Sequence, residues 1–258
     1  MCSTCGCGAD AVRVTTVGHE HPHAPEHSGG HAHPHAHEHP HLPDEPRTHT
    51  LALEERILLK NDGLAEENRR WLAERNVRSV NLMSSPGAGK TSLLERTIRA
   101  SDGEVTVIEG DQETLFDAER IRAAGAHAVQ VNTGAGCHLD AAMVRRALEE
   151  LAPRPGGVLF IENVGNLVCP ALFDLGEGRR VVVVSVTEGD DKPLKYPHMF
   201  AAAQLVVLNK TDLLPYVDFD VDRFLGDARK LNPGVDVLPM SVRTGDGFDA
   251  WQDWLRCL

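Results

Sequence analysis

No stretch of the 258-residue chain holds the roughly 18 consecutive apolar residues that a membrane-spanning helix needs. The N-terminus also lacks a basic segment followed by an apolar one, so no secretory leader is read there. Cations are in the minority: 26 Lys and Arg stand against 38 Asp and Glu, a formal net charge of −12. That balance argues against general nucleic-acid binding, which draws on clustered Lys and Arg to neutralise phosphates. A disulfide framework is missing too. Of six cysteines, Cys2, Cys5 and Cys7 crowd the start, while Cys137, Cys169 and Cys257 are scattered. In a reducing compartment such spacing points to metal thiolates rather than bridges. These absences predict a soluble, cytoplasmic protein with neither a membrane nor a nucleic acid as partner.

What is present divides near residue 50. Of 14 histidines, 11 lie before that point, and only His127, His138 and His198 lie beyond it. Between Gly18 and Pro46, His alternates with Pro, Ala, Gly and Glu, and Leu42 is the one aliphatic side chain larger than Ala. Such a segment cannot bury enough apolar surface to offset chain entropy, so residues 1–50 are expected to form a disordered Cys/His-rich tail. From Leu51, apolar residues recur at near-helical spacing, with Gly63 as the expected break.

After Arg78, short apolar runs alternate with amphipathic stretches. The runs Ser79–Met83, Val105–Glu109, Ala128–Val131, Val158–Glu162, Val181–Val186, Leu205–Leu208 and Val235–Pro239 read as buried strands. Helical patterns fall between most of them, at Ser92–Ala100, Ala118–Ala124, Leu139–Leu151 and Asp222–Leu231. The rhythm predicts an α/β fold over residues 51–258: a doubly wound, mostly parallel sheet with helices on both faces. Ligands of such sheets sit at the carboxyl ends of the strands, and the motifs fall there.

Ser84-Ser85-Pro86-Gly87-Ala88-Gly89-Lys90-Thr91 follows the first strand and opens a helix. It fits the phosphate-binding loop G-x-x-x-x-G-K-[ST], with Ser84 in place of the first glycine. Gly87, Ala88, Gly89, Lys90, Thr91 and Ser92 are expected around the phosphates. There Lys90 would neutralise charge and the Thr91 hydroxyl would ligate Mg²⁺. Asn209-Lys210-Thr211-Asp212 ends a later strand. The Asp212 carboxylate can accept two hydrogen bonds from the N1–H and 2-amino group of guanine, which adenine cannot offer, so GTP is the expected nucleotide. Ser241 and Val242 open the remaining guanine-contact loop, Ser241-Val242-Arg243-Thr244-Gly245. Hydrolysis needs carboxylates near Mg²⁺ and water. Glu162, in Glu162-Asn163-Val164-Gly165, takes the position of the usual Asp of a D-x-x-G motif and is assigned to Mg²⁺. Asp111, in Glu109-Gly110-Asp111-Gln112, is assigned to metal or to orienting the attacking water; its alternative is a helix-capping carboxylate.

Cys2, Cys5 and Cys7, separated by small residues, would form an S₃N site with the terminal amine, acceptable to Zn²⁺ as a tetrahedron or Ni²⁺ as a square plane. The His tract adds a many-site imidazole field suited to Ni²⁺, Zn²⁺ or Cu²⁺. Within the folded part, Cys137 and His138 lie in a glycine-loosened loop and Cys169 lies seven residues after Glu162. All three are expected at the sheet edge that carries the phosphates, where they form a candidate metal site.

Taken together, these segments resemble the hydrogenase-maturation nickel-insertion GTPases, the HypB family, over essentially the whole chain. The carriers are the cysteine opening, the His tract, Ser85–Thr91, Glu109–Asp111, Gly136-Cys137-His138-Leu139-Asp140, the run from Glu162 to Cys169-Pro170, and Asn209–Asp212. The resemblance implies Mg²⁺-dependent GTP hydrolysis and a GTP-dependent homodimer with the Cys137/His138/Cys169 site near its interface. It also implies a nickel-accessory maturation protein as partner and the [NiFe] hydrogenase large subunit as recipient. Some relatives carry a second-metal His one turn beyond the Cys-His pair; Ala142 stands there, a departure from that two-metal pattern. Urease-serving nickel GTPases share the nucleotide motifs, but their metal motif resembles Cys-Pro-His rather than Cys137-His138. A metal buffer with a vestigial nucleotide domain is disfavoured by intact Lys90, Thr91 and Asp212.

Overall fold

A computed structural model describes residues 13–15, 47–111, 116–134 and 136–258, with side chains from residue 55 onward. Cys2, Cys5, Cys7 and the His tract lie outside the described residues. The chain enters through β1 (Arg13–Thr15) and α1 (Arg47–Glu74). Four strand–helix repeats follow: β2 (Arg78–Ser84) and α2 (Lys90–Arg99), β3 (Val105–Asp111) and α3 (Phe116–Ala123), β4 (His127–Asn132) and α4 (Ala141–Leu151), β5 (Val158–Glu162) and α5 (Cys169–Leu172). After β6 (Arg179–Ser185) come the short α6 (Lys192–Lys195) and α7 (Pro197–Ala202). The fold ends with β7 (Leu205–Asn209), α8 (Val221–Leu231), β8 (Asp236–Pro239) and α9 (Phe248–Arg256).

Among the described residues, the strands form one sheet in the order β1-β4-β3-β5-β2-β6-β7-β8. All pairs are parallel except β1 with β4, which is antiparallel. The expected doubly wound sheet is therefore present. Strand alternation divides the core. Val105, Val107 and Phe160 pack against Leu93 and Leu94 of α2, whereas Ile108, Leu159 and Ile161 pack against Met143, Val144 and Leu148 of α4. The other end of the sheet packs Val182, Val184 and Val206 on Phe200 and Phe224. No helix among the described residues is long and apolar enough to cross a membrane.

The expected break at Gly63 is absent: α1 runs unbroken from Arg47 to Glu74. Tertiary bonds outweigh the glycine's poor helix propensity, about 1 kcal/mol. Asn61 Nδ2 donates to Asp174 O (2.7 Å), and Asn61 Oδ1 accepts from Ala141 N (2.9 Å). Two turns on, Asn68 Nδ2 donates to Ala141 O (2.9 Å) and Leu175 O (3.1 Å). One face of α1 thus ties the start of α4 to the segment after α5. The helix expected from Leu139 begins instead at Ala141, because Asp140 caps it by accepting from Met143 N at 2.7 Å.

Candidate functional site

The turn between β2 and α2 is shaped by glycine. Gly89 has φ +107°, and a Cβ there would stand 2.4 Å from Asn209 Nδ2, so no other residue admits this approach. The turn leads into α2, whose first backbone N–H groups have no intrahelical partner, the standard arrangement for receiving an anion. Lys90 is buried and its Nζ donates to Ser84 Oγ at 2.7 Å. The departure from the loop pattern at Ser84 therefore supplies an acceptor for the loop's own lysine. Burial pushes the Lys90 pKa down, while Glu162, Asp117, Glu109 and Glu188 oppose that shift.

Glu162 ends β5 and pairs in register with Glu109, two residues before the end of the neighbouring β3. Both belong to the face of the sheet that packs on α2, by the alternation that places Val107 and Phe160 there. Thr91 Oγ1 donates to Glu162 Oε1 at 2.7 Å, which joins two of the three expected Mg²⁺ ligands directly, Asp111 being the third. Glu162 Oε2 is buried without a hydrogen-bond partner. A divalent cation beside Thr91 fits that orphaned oxygen. Desolvation raises the Glu162 pKa to about 7 despite the Lys90 charge and the Thr91 bond. Asp111 lies two residues beyond Glu109, partly buried at the end of β3, with its carbonyl held by Thr133 N at 2.9 Å.

Glu109 was not among the site residues expected from sequence, yet it is the more strongly perturbed carboxyl. Desolvation first, then the charges of Glu162, Asp111 and Asp117, push its pKa to about 9. A carboxyl raised in the folded state stabilises fully below its unfolded value of 4.5 and loses that contribution as pH climbs toward 9. The nucleotide-free Glu109→Gln variant should therefore melt several degrees above the parent near pH 8.5, about 2–4 °C per kcal/mol, and alongside it near pH 4. Thermal melts across that range check it, and a gap that does not widen with pH would mean that Glu109 is ionised in the fold.

The base side is assembled by Asn209. Its Nδ2 donates to Ala88 O at 2.9 Å and its Oδ1 accepts from Val242 N at 3.2 Å, tying the phosphate loop to Ser241–Gly245. Lys210, at φ +61°, reaches back to donate to Gly87 O at 2.8 Å. Ser241 Oγ donates to Asp212 Oδ1 at 2.7 Å and orients the carboxylate. A cleft of about 400 Å³ opens here, lined by Gly89, Ser92, Asn209, Asp212 and Val242 among others. The expected phosphate-loop and base-loop residues thus come together at one edge of the sheet.

The cysteine and histidine of the candidate metal centre come together as well. Cys137 Sγ lies 2.7 Å from Cys169 Sγ and 3.5 Å from His138 Nδ1, and ligand atoms of all three residues fall within 4.8 Å of one another. His138 is buried, with its ring stacked on Phe173 at 3.8 Å between centroids. Burial lowers its pKa against the opposing charge of Asp140, which favours the neutral imidazole that binds metal. Leu139 N donates to Asn163 Oδ1 at 3.2 Å, and the Leu139 side chain presses on Gly110 so closely that a Cβ there would stand 2.8 Å away. Residues on either side of the two magnesium-side carboxylates thus touch the metal loop. Leu139, beside His138, belongs to the core on the α4 side of the sheet, whereas Glu162 lies on the α2 side.

Residues 78–239 match the model of the CobW/HypB/UreG nucleotide-binding domain. The chain is 49% identical to the hydrogenase maturation factor HypB of Rhizobium leguminosarum bv. viciae, over 99% of this chain and 96% of that one. Among solved structures, HypB from Archaeoglobus fulgidus is similar with a TM-score of 0.72 and 44% identity, covering 77% of this chain and 98% of that one. HypB from Helicobacter pylori in complex with nickel is similar with a TM-score of 0.72 and 39% identity, over 76% and 93% of the two chains. Matched along nearly its whole length and around a shared nucleotide-binding core, the chain belongs to the HypB family of hydrogenase maturation factors.

Proposed function

We propose that this protein is a magnesium-dependent GTP hydrolase that couples GTP turnover to the insertion of nickel into [NiFe] hydrogenase. The observation that carries the reading is the Cys137/His138/Cys169 cluster, bound through Leu139 to the strand ends that hold Glu162 and Glu109. Two thiols and a neutral imidazole suit Ni²⁺ or Zn²⁺, and three protein ligands leave a coordination position open, as a centre that passes its ion onward requires. The nickel complex of the Helicobacter pylori relative and the maturation-factor name of the Rhizobium relative support the same reading.

In this reading Gly87, Ala88, Gly89 and Ser92 line the phosphates and Lys90 offsets their charge. Thr91 and Glu162 hold Mg²⁺, which supplies charge neutralisation at the phosphoryl oxygens. Asp111 orients the attacking water. Asp212 accepts from guanine, with Ser241 fixing the carboxylate and Asn209, Lys210 and Val242 holding the loops. Cys2, Cys5, Cys7 and the His tract store nickel, with Zn²⁺ as the competing ion, in the tail formed by residues 1–50. The folded unit, with α1 starting at Arg47 rather than at the expected boundary of residue 51, works in the cytoplasm as a GTP-dependent homodimer. Its partners are a nickel-accessory maturation protein and the hydrogenase large subunit.

Asp212→Asn tests the base assignment. Removing a charged acceptor forfeits about 1.5–3 kcal/mol per hydrogen bond, so GTP affinity should fall at least about tenfold. The fold should persist, because Ser241 can still donate to the amide oxygen. Calorimetric titration with GTP reads the change, and undiminished affinity would remove Asp212 from the base site.

A further inference from the structure

Arg96 lies on the second turn of α2, one residue before Thr97, and belongs to none of the nucleotide motifs. Its Nη1 donates to Val242 O at 2.7 Å. Its guanidinium lies 4.8 Å from the centroid of the Phe248 ring, at the start of α9. On a third side it abuts Gly245, where φ is +96° and a Cβ would stand 2.4 Å from Arg96 Nη2. One planar side chain thus holds the middle, the end and the downstream helix of the Ser241–Gly245 loop against α2. A lysine has neither the plane nor the fork for all three contacts.

The backbone N–H groups of that loop are nearly all committed. Ser241 N donates to Asp246 O, Gly245 N to Ser241 O, Thr244 N to Ser241 Oγ and Val242 N to Asn209 Oδ1. Among the described residues, none accepts from Arg243 N. Across a trans peptide the C=O and the following N–H point in opposite directions. By engaging Val242 O, Arg96 therefore sets where the free Arg243 N–H points.

We propose that Arg96 is a positioning residue for base discrimination: it fixes the Val242–Arg243 peptide so that the Arg243 N–H serves as the donor to a purine 6-oxo group. The proposal rests on the GTP reading above and deepens it. Asp212 reads the N1–H and 2-amino edge of the base, while the peptide held by Arg96 reads the neighbouring oxygen. Loss of Arg96 leaves the Asp212 contact in place and frees the peptide to rotate.

The test compares GTP with 2-aminopurine riboside 5′-triphosphate, which keeps the 2-amino group and lacks the 6-oxo group together with the N1–H, so the readout is how each affinity changes when Arg96 is replaced. Affinities are measured by calorimetry on the full chain and on Arg96→Met and Arg96→Lys. The parent should prefer GTP. In Arg96→Met the GTP affinity should fall about tenfold, the loss of one hydrogen bond, while the analogue binds as before. Arg96→Lys should recover part of the preference, and KM for GTP should rise with kcat little changed, since the contacts of Arg96 are to Val242, Gly245 and Phe248 on the base side. A merely structural role would lower both affinities alike and leave their ratio intact, which overturns the proposal. Should Arg96→Met fail to fold, Arg96→Lys decides: an intermediate ratio supports the assignment and the parental ratio overturns it. A parent that does not bind GTP would overturn the nucleotide reading itself, whatever Arg96 does.

Discussion

Lys90→Ala should abolish GTP turnover, lowering kcat by at least about a hundredfold, the scale on which a lost electrostatic contact to a transferring phosphoryl group is felt. The side chain is buried and bonded to Ser84 Oγ, so its ammonium is already aimed before any nucleotide arrives. Alanine removes more than a contact. Lys90 is a cation that faces Glu162, Glu109, Asp117 and Glu188, and without it the buried Glu162 is harder to ionise as a metal ligand. The variant should therefore bind Mg²⁺–GTP weakly as well as turn it over slowly. Phosphate release at saturating GTP, measured beside a thermal melt, separates chemistry from folding. Ser84→Ala provides the graded comparison, because it keeps the cation and removes only its internal acceptor, and should cost far less. Turnover retained in Lys90→Ala would overturn the phosphate-loop assignment.

Why the phosphate loop was legible in the sequence, and Arg96 was not, has a physical cause. A loop that wraps an anion must combine glycines, a lysine and a hydroxyl within eight consecutive residues, so its geometry is written locally. The strands were legible because a parallel sheet buried on both faces needs continuous apolar runs such as Val181–Val184. The Cys137–Cys169 meeting could be anticipated because both lie just past strand ends that the topology brings together. Arg96, by contrast, acts on Val242 across 146 positions of chain, and the amphipathic helix carrying it would look the same with the arginine in solvent. Asn61 and Asn68 present the same difficulty. On sequence they are weak helix formers on either side of Gly63, the expected break. Only their bonds to Ala141, Asp174 and Leu175 explain why the helix continues. Glu109 is hidden for a related reason: its perturbation comes from burial and from the charges of Glu162, Asp111 and Asp117, which a glutamate inside an apolar run does not announce.

Metal affinity at Cys137, His138 and Cys169 should depend on the nucleotide, and Cys169→Ala should remove most of that dependence. Glu162 is bonded to Thr91 of the phosphate loop, and the next residue, Asn163, accepts from Leu139 N beside His138. Asn163 also accepts from Val164 N at 3.0 Å and donates its own N–H to Leu82 O at 3.0 Å, so it cannot shift without disturbing the strand end. A change at Glu162 when the γ-phosphate departs therefore reaches the metal loop through Asn163 and reaches Cys169 along the intervening seven residues. Asn61 fixes the outer boundary of both segments by bridging Ala141 N and Asp174 O, so displacement concentrates at the ligands rather than dissipating along the chain. By linkage the nucleotide and the metal must change each other's affinity by one common factor, about 5–150-fold where coupling is of ordinary strength. The measurement is a Ni²⁺ and Zn²⁺ titration of protein lacking its first 46 residues, which removes the tail thiols and most of its imidazoles while keeping α1 whole. It is run with GDP and with a non-hydrolysable GTP analogue. Asn163→Ala should keep the metal bound and shrink the difference between the two nucleotide states. Equal affinities in both states for the parent would make the core cysteines bystanders, and the protein a nickel carrier and a GTPase with no mechanical link between them.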